Sequence, residues 1–434
     1  MRMTVSRYAT KLALIVIGAT CPALARSILL GVNPHLMSNR SAQVAWLQLS
    51  RDIGFDAVRD DALWSEVETR KGVYKIPSAW DAYVNDARRI GIQPLIILDY
   101  GNRFYDDSGK PRSPEAIAGF ARYASFVVSH FKGRVKYFEI WNEWDTHAGG
   151  APSGSATDYA RLFNAVFPVL KTIDPSAVFL VSASAGGSDR WYKRVAQLGI
   201  ASRADGVAVH PYVYPVRSST NMPADNNEAE LSAQDVINIE ATMRRVSGTR
   251  NIPLYITEIG WPTSHDASGV TNREAATLAQ RALLLFCSLP YVRGVWWYDL
   301  VDDGPDAANS QDRFGILRRD LSFKPDALAI QSIVGMIKTN QMVLREDSNL
   351  RDGLVLIHGS AQGRSSLIAW DIRLAHTPNG RREATAHSVT CNRALNVQRT
   401  ASSDFSPDLE ITATPTRFTY SRSGCARQKI RVVN

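Results

Sequence analysis

Between residue 28 and about residue 303, short apolar runs alternate with longer amphipathic stretches. The runs at 28–33, 56–59, 93–98, 135–141, 177–182, 206–210, 254–257 and 294–298 predict strands. Several are almost continuously apolar, which means burial on both faces, as in a parallel sheet clothed in helices. Between them apolar residues recur at spacings of three and four. Ile117, Phe120, Ala121, Ala124, Val127, Val128 and Phe131 mark one helix. Tyr159, Leu162, Phe163, Val166, Val169, Leu170 and Ile173 mark another, with Thr157 and Asp158 as candidate caps. Eight strands with intervening helices predict an α/β fold, a (β/α)8 TIM barrel over residues 26–340. An open doubly wound sheet is the alternative, but no glycine-rich phosphate loop follows the first strand.

After a helix-like segment at 325–338 the pattern changes. Short β-rich runs at 342–344, 354–358, 366–370, 384–389 and 417–421 are separated by Asp352-Gly353 and Pro378-Asn379-Gly380. They predict a C-terminal β-sandwich over 341–434. No repeat or low-complexity linker separates the two parts, so they are expected to pack together.

The first 25 residues are different again. Arg2, Arg7 and Lys11 precede an apolar stretch at 12–20, and Ala23-Leu24-Ala25 has the small-x-small form of a signal-peptidase site. A signal peptide cut after Ala25 is expected, and with it a periplasmic or secreted mature chain; an uncleaved anchor is the other reading. Elsewhere no apolar run approaches the roughly 20 residues of a membrane-spanning helix.

Charge adds little. The formal net charge is +8, of which the leader carries three basic residues, and residues 341–434 hold 13 basic against 8 acidic. Residues 26–340 are therefore balanced, and the basic excess gives no reason to expect nucleic acid as a partner. Past the leader the cysteines are Cys287, Cys391 and Cys425. None has metal-ligand spacing and no HExxH occurs, so neither metal nor cofactor is expected. Cys287 lies in an apolar run and reads as a buried thiol, while Cys391 and Cys425 are free to pair in an oxidising compartment.

In a barrel of this kind, chemistry sits at the C-terminal ends of the strands. The second strand ends at Arg59, the fourth at Trp141-Asn142-Glu143-Trp144 and the sixth at His210-Pro211-Tyr212. The seventh ends at Thr257-Glu258-Ile259-Gly260-Trp261 and the eighth at Trp296-Trp297-Tyr298-Asp299. Trp64, Trp141, Trp144, Trp261, Trp296 and Trp297 crowd this rim, and flat amphipathic rings suit the apolar faces of sugars. Some of these rings have plain packing as their alternative. Glu143 and Glu258 face one another across the mouth, and glycoside cleavage needs such a pair, one protonated and one charged. Glu139 is on the same face of its strand but deeper, where an ion pair with Arg59 is the natural expectation. His147 reads as loop surface.

These motifs resemble the clan of retaining (β/α)8 glycosidases known as GH-A, most closely family 39 and periplasmic endo-glycosidases encoded with biofilm exopolysaccharide synthesis. The resemblance covers about residues 28–330. It implies that Glu143 is the general acid and then the general base, and that Glu258 is the nucleophile. Asn142 would hold the 2-hydroxyl of the sugar, and Arg59 and Tyr212 would keep Glu258 ionised. His210 would contact sugar or the same network, and Trp297, or Trp296 in the other register, would floor the central subsite. It also implies a polysaccharide substrate and the possibility of association with an exopolysaccharide synthesis complex. Long polar loops at 100–113, 212–227 and 302–313 would wall the cleft, and the family analogy favours internal cleavage. An exo-acting β-glycosidase of the xylosidase kind and a non-catalytic glycan-binding barrel are the alternatives.

Overall fold

The computed structural model describes residues 28–372, apart from 38–42, 187–188, 216–226, 249–251, 352 and 362–363, and five strand segments beyond them. Eight parallel strands close into a barrel: β1 (Leu29–Val32), β2 (Ala57–Leu63), β3 (Gln93–Asp99), β4 (Tyr137–Ile140), β5 (Val178–Val181), β6 (Gly206–Val209), β7 (Leu254–Ile259) and β8 (Val292–Trp297). Each pairs with the next, and β8 pairs back onto β1. Helices α1 (Gln43–Ile53), α2 (Trp64–Val67), α3 (Ser78–Ile90), α4 (Pro114–Phe131), α5 (Ala156–Ile173), α6 (Asp189–Gln197), α7 (Glu228–Ser247), α8 (Asn272–Ser288) and α9 (Pro325–Thr339) clothe it.

The strands bury both faces, which is why their sequences are nearly continuous in apolar residues. One set of side chains (Ala57, Leu95, Ile97, Leu180, Ala208, Tyr255 and Trp296) fills the barrel. The alternate set, including Val58, Ile96, Phe138, Val207, Ile256 and Val295, packs under the helices. Trp296 is the largest interior ring, and two glycines make room for it. A Cβ on Gly31 would sit 2.2 Å from Trp296 Cδ1, and one on Gly294 2.5 Å from its Cζ3.

The helix ends follow local chemistry. At α4, Ser113 accepts from Ala116 N and Pro114 opens the first turn. The cap of α5 is Ser155, not Thr157 or Asp158. Its hydroxyl accepts from Asp158 N at 3.1 Å, and that bond places 157 and 158 inside the first turn.

After α9 the chain enters the β-rich part. Strands β9 (Gln341–Leu344), β10 (Leu354–Ala361), β11 (Arg364–Asp371), β13 (Ala394–Arg399) and β15 (Thr416–Cys425) form one antiparallel sheet in the order β13-β15-β11-β10-β9. A second sheet pairs β16 (Ile430–Val432) with β12 (Ala384–Thr385) and β14 (Leu409–Glu410), antiparallel and parallel respectively. The first sheet is joined to the barrel through buried polar contacts. Trp370 Nε1 donates to Glu230 Oε1 on α7 at 2.6 Å, and Arg281 on α8 lies 3.7 Å from the other Glu230 oxygen. The leader and Cys391 lie outside the described residues, and with them the signal cleavage and the pairing of Cys391 with Cys425. Cys287 is buried, as its apolar run suggests. No described helix is long and apolar enough to cross a membrane.

Candidate active site

The site is built at the C-terminal ends of the strands. On β2 the interior positions alternate from Ala57 to Arg59, so the guanidinium stands on the axis just above the apolar filling. At the end of β4 the chain turns through left-handed conformations at Trp141 (φ 70°) and Glu143 (φ 43°). Non-glycine residues avoid that region, and its cost of order 1–3 kcal/mol marks a position fixed by its surroundings. The turn brings Asn142 and Glu143 to the cavity.

Glu258 owes its place to a bulge. Ile256 pairs with Val295 and Ile259 with Trp297, so three steps on β7 oppose two on β8. All four of those residues belong to the outer layer. The extra residue lets both Thr257 and Glu258 turn to the interior, which strict alternation forbids.

Arg59 is the hub. Its Nε donates to Glu139 (3.0 Å), its Nη1 to Glu258 Oε1 (2.7 Å) and Asn33 Oδ1 (3.1 Å), and its Nη2 to Asn142 Oδ1 (2.9 Å). The second oxygen of Glu258 accepts from the Tyr212 hydroxyl at 3.1 Å. His210 Nδ1 is 2.8 Å from Glu143 Oε1 and 3.7 Å from Glu258 Oε2, and its Nε2 is 2.9 Å from Thr257 Oγ1. Asn142 Nδ2 donates to Tyr100 Oη at 2.8 Å. Thr146 Oγ1 donates to the backbone carbonyl of Glu143 at 3.0 Å. Glu143, His210 and Glu258 each present an atom within 4.8 Å of the other two. The nearest oxygens of the two carboxylates are thus close, as retaining chemistry, with about 5–5.5 Å between carboxyl groups, requires.

Electrostatics distinguishes the two acids. Burial pushes the Glu258 carboxyl up, but His210, Arg59 and the hydrogen bonds from Arg59 and Tyr212 outweigh it and hold it below its ordinary value. Among the described residues no guanidinium pairs with Glu143; its partners there are His210 and Thr146. Burial works against a charge on His210, yet Glu258 and Glu143 bring its pKa above the ordinary value. Burial raises Glu139, opposed by Arg59.

Glu143, Glu258, Arg59, Asn142, His210 and Tyr212 thus converge as a single network, with Glu139 paired to Arg59 beneath them. The tryptophans do not share in it. Trp296 is 0% and Trp297 1% exposed, and neither borders the cavity, so neither floors a subsite. Trp296 points into the barrel filling, while Trp297 points outward against Trp261, with ring centroids 5.8 Å apart. Trp64, Trp141, Trp144 and Trp261 are buried as well.

The cavity, of about 560 Å³, is instead walled by Tyr100, Tyr212, Tyr214, Tyr298 and Phe314. Tyr214 stacks on Tyr212 with centroids 5.6 Å apart. Asn33, His35, Asp60 and Asp61 complete one side. Apart from Tyr212, sequence reasoning gave these residues no role, though period-two alternation gives two signals: Tyr214 is two residues from Tyr212, and Tyr298 two from Trp296. His147 is exposed, as its loop suggested. Among the described residues, two clusters have metal-ligand geometry: the Glu143, His210, Glu258 trio and His35 with Asp299 and Asp303.

No family model matches the chain. No curated protein matches it either. Solved structures do. A family 39 glycoside hydrolase from the gut symbiont Bacteroides cellulosilyticus WH2 superposes with a TM-score of 0.67 at 22% identity, covering 94% of this chain and 81% of its own. GH5_18 from Streptomyces cattleya, in complex with GlcNAc, gives 0.58 at 20% identity over 73% and 82% of the two chains. The GH39 enzyme from Xanthomonas axonopodis pv. citri gives 0.56 at 18% identity over 80% and 72%. At these identities the likeness establishes a shared fold.

Proposed function

We propose that this chain is a retaining glycoside hydrolase that cleaves a β-linked polysaccharide internally. The observation that carries the reading is the unequal pair of close carboxylates, Glu258 held ionised by Arg59, Tyr212 and His210, and Glu143 facing it without a guanidinium. Glycoside hydrolases of the same fold among the solved structures support it.

In the first step a Glu258 oxygen attacks the anomeric carbon while the glycosidic C–O bond breaks, and Glu143 gives its proton to the leaving oxygen. In the second, Glu143 takes a proton from water, the water oxygen attacks the same carbon, and the bond to Glu258 breaks. Two inversions retain configuration. Asn142 is held by Arg59 and Tyr100 with its amide at the cavity, in position to bind a sugar hydroxyl beside the reacting carbon. Tyr298, Tyr214 and Phe314 supply the apolar wall in place of tryptophan.

Internal cleavage follows the family resemblance of the sequence motifs. The leader-like residues 1–25 support export to the periplasm or beyond, and an exported enzyme of this kind fits a bacterial exopolysaccharide and a place beside its synthesis complex.

The test is reducing-end release from a panel of β-linked polysaccharides, bacterial exopolysaccharides included, by wild type and Glu258→Gln, with the anomer first formed read by NMR. Internal fragments of retained configuration, made by wild type alone, are expected. Single sugars only would favour the exo-acting reading. Binding to one polymer with no release from any would favour a glycan-binding barrel.

A further inference from the structure

Beside the catalytic network, the segments that follow β1 and β8 meet at a second cluster. His35, in a left-handed conformation (φ 50°), borders the cavity with its ring edge-on to Tyr298, centroids 5.5 Å apart. Next to this ring pair, Asp299 is fully buried. Among the described residues neither of its carboxylate oxygens accepts a hydrogen bond from a nitrogen donor. The nearby Asp302, by contrast, is compensated by Lys324 at 2.6 Å and Arg313 at 3.5 Å. The close polar neighbours of Asp299 are the Asp303 carboxyl and His35 Nε2, the latter 3.7 Å from Oδ2.

Two carboxyl groups in contact, one of them without water, need a positive charge between them: a shared proton or a cation. The third group decides between these. One ligand atom from each of His35, Asp299 and Asp303 lies within 4.8 Å of the other two. The 3.7 Å between His35 and Asp299 is long for a hydrogen bond. It is close to the ~3.4 Å that separates two ligands of one tetrahedral ion at ~2.1 Å each. We propose that His35, Asp299 and Asp303 form a binding site for a first-row divalent cation of the Zn²⁺ or Mn²⁺ class, which ties the segment after β1 to the segment after β8 at the rim of the cavity.

One imidazole with two carboxylates suits those ions better than Ca²⁺ or Mg²⁺, which take oxygen ligands throughout. Entry is open, because Asp303 is exposed and the His35 side chain is 32% exposed. Burial first and Asp303 second push the Asp299 carboxyl well above its usual range. Carboxylate and imidazole bind a metal only when deprotonated, so binding weakens as the pH falls. The site escaped local spacing rules because its ligands come from opposite ends of the barrel sequence. The cation would hold His35 and Tyr298 in place as cavity walls, and the proposal is independent of the glycosidase reading.

The test uses the whole exported chain, stripped with EDTA and titrated with Zn²⁺ and with Mn²⁺ alone by calorimetry and thermal melting. Saturable one-to-one binding is expected with at least one of the two. At about 100 times the Kd, Tm should rise by roughly 3 °C or more. Asp303→Asn, at an exposed position, should fold with little change in metal-free Tm and weaken binding by about tenfold or more. Glu258→Gln should leave binding unchanged, which separates this site from the Glu143, His210, Glu258 trio. No heat and no Tm rise with either ion would overturn the proposal, leaving a shared proton between the two aspartates. Binding that survives in Asp303→Asn but is lost in Glu258→Gln would overturn it equally.

Discussion

Arg59→Lys keeps the charge at the centre of the site and removes the shape. The guanidinium reaches four acceptors at once, on Glu139, Glu258, Asn33 and Asn142. An ammonium is a compact point charge, and from the Lys stem it can serve about two of the four. Hydrogen bonds to charged groups contribute about 1.5–3 kcal/mol each. If the lost bonds include the one to Glu258, transition-state stabilisation falls by about 3 kcal/mol and kcat/KM by about 10²-fold. If they include Glu139, a fully buried carboxylate loses its partner, and stability falls by about 3 kcal/mol or more. A pH profile separates these effects from general damage. Arg59 helps to hold Glu258 below its ordinary value, so its carboxyl group, the nucleophile of the proposed mechanism, is ionised above that lowered value and protonated below it. Weakening Arg59 raises the Glu258 pKa, and the acid limb of kcat/KM moves to higher pH. Stability has the same sign: the Glu258 contribution is complete above its unfolded pKa and is lost as pH falls through the lower folded one. The variant should therefore begin to unfold in acid at a higher pH than wild type. The assays are kcat/KM against pH on the substrate found by reducing-end release, and urea melts at neutral and acid pH. An acid limb and a urea midpoint both unchanged in Arg59→Lys would refute the role given to the fork.

Four further substitutions probe the packing and the walls. Trp297→Ala should lose about 3–5 kcal/mol in urea melts, because the ring is buried against Trp261. Tyr214→Ala, at a ring that is 37% exposed beside the cavity, should leave the urea midpoint nearly unchanged and raise KM by about three- to tenfold; the opposite pattern in this pair would restore tryptophan as the sugar platform. Gly31→Ala places a methyl 2.2 Å from the Trp296 ring, so the Tm should drop by several degrees, with Gly31→Ala/Trp296→Phe recovering part of the loss. Trp370→Phe removes the donor to buried Glu230 and should cost about 1–3 kcal/mol, seen as a lower Tm.

The barrel was readable because its cause is simple. A strand buried on both faces must be apolar throughout, and the two helices checked in detail, α4 and α5, kept the three-and-four spacing of their apolar residues. The small strands β14 and β16 were not readable: two or three residues carry no period, and they exist through pairing with each other. The α5 cap was misplaced for a related reason. Ser155, Thr157 and Asp158 are all capping residues by type, and backbone geometry chose among them. Four of the site residues, Asn142, Glu143, Thr257 and Glu258, sit in pairs next to one another, and the sequence shows the pairs without showing how both members reach one side.

That last point bears on where Glu258 and the two adjacent tryptophans of β8 stand. Strict alternation from Tyr255, which is interior, turns Thr257 inward and Glu258 out beneath the helices. The bulge between Ile256 and Ile259 cancels that parity on β7 alone. The motif around Glu258 therefore places that carboxylate at the cavity, whereas any register argument carried across from it to β8 has no such support. On β8 the register shift lies earlier, between Val292 and Gly294, and none follows from Gly294 to the rim. Trp296 is interior, Trp297 outer, and Tyr298 returns to the cavity side. The parity was nonetheless present in the sequence. A ring as large as Trp296 can enter a packed barrel only where its neighbours on the same face lack side chains, and Gly294 stands two residues before it, with Gly31 paired to it across the sheet. A glycine two positions before the first of two adjacent tryptophans thus assigns the first ring to the interior, the second to the helix layer, and the next aromatic residue to the cavity.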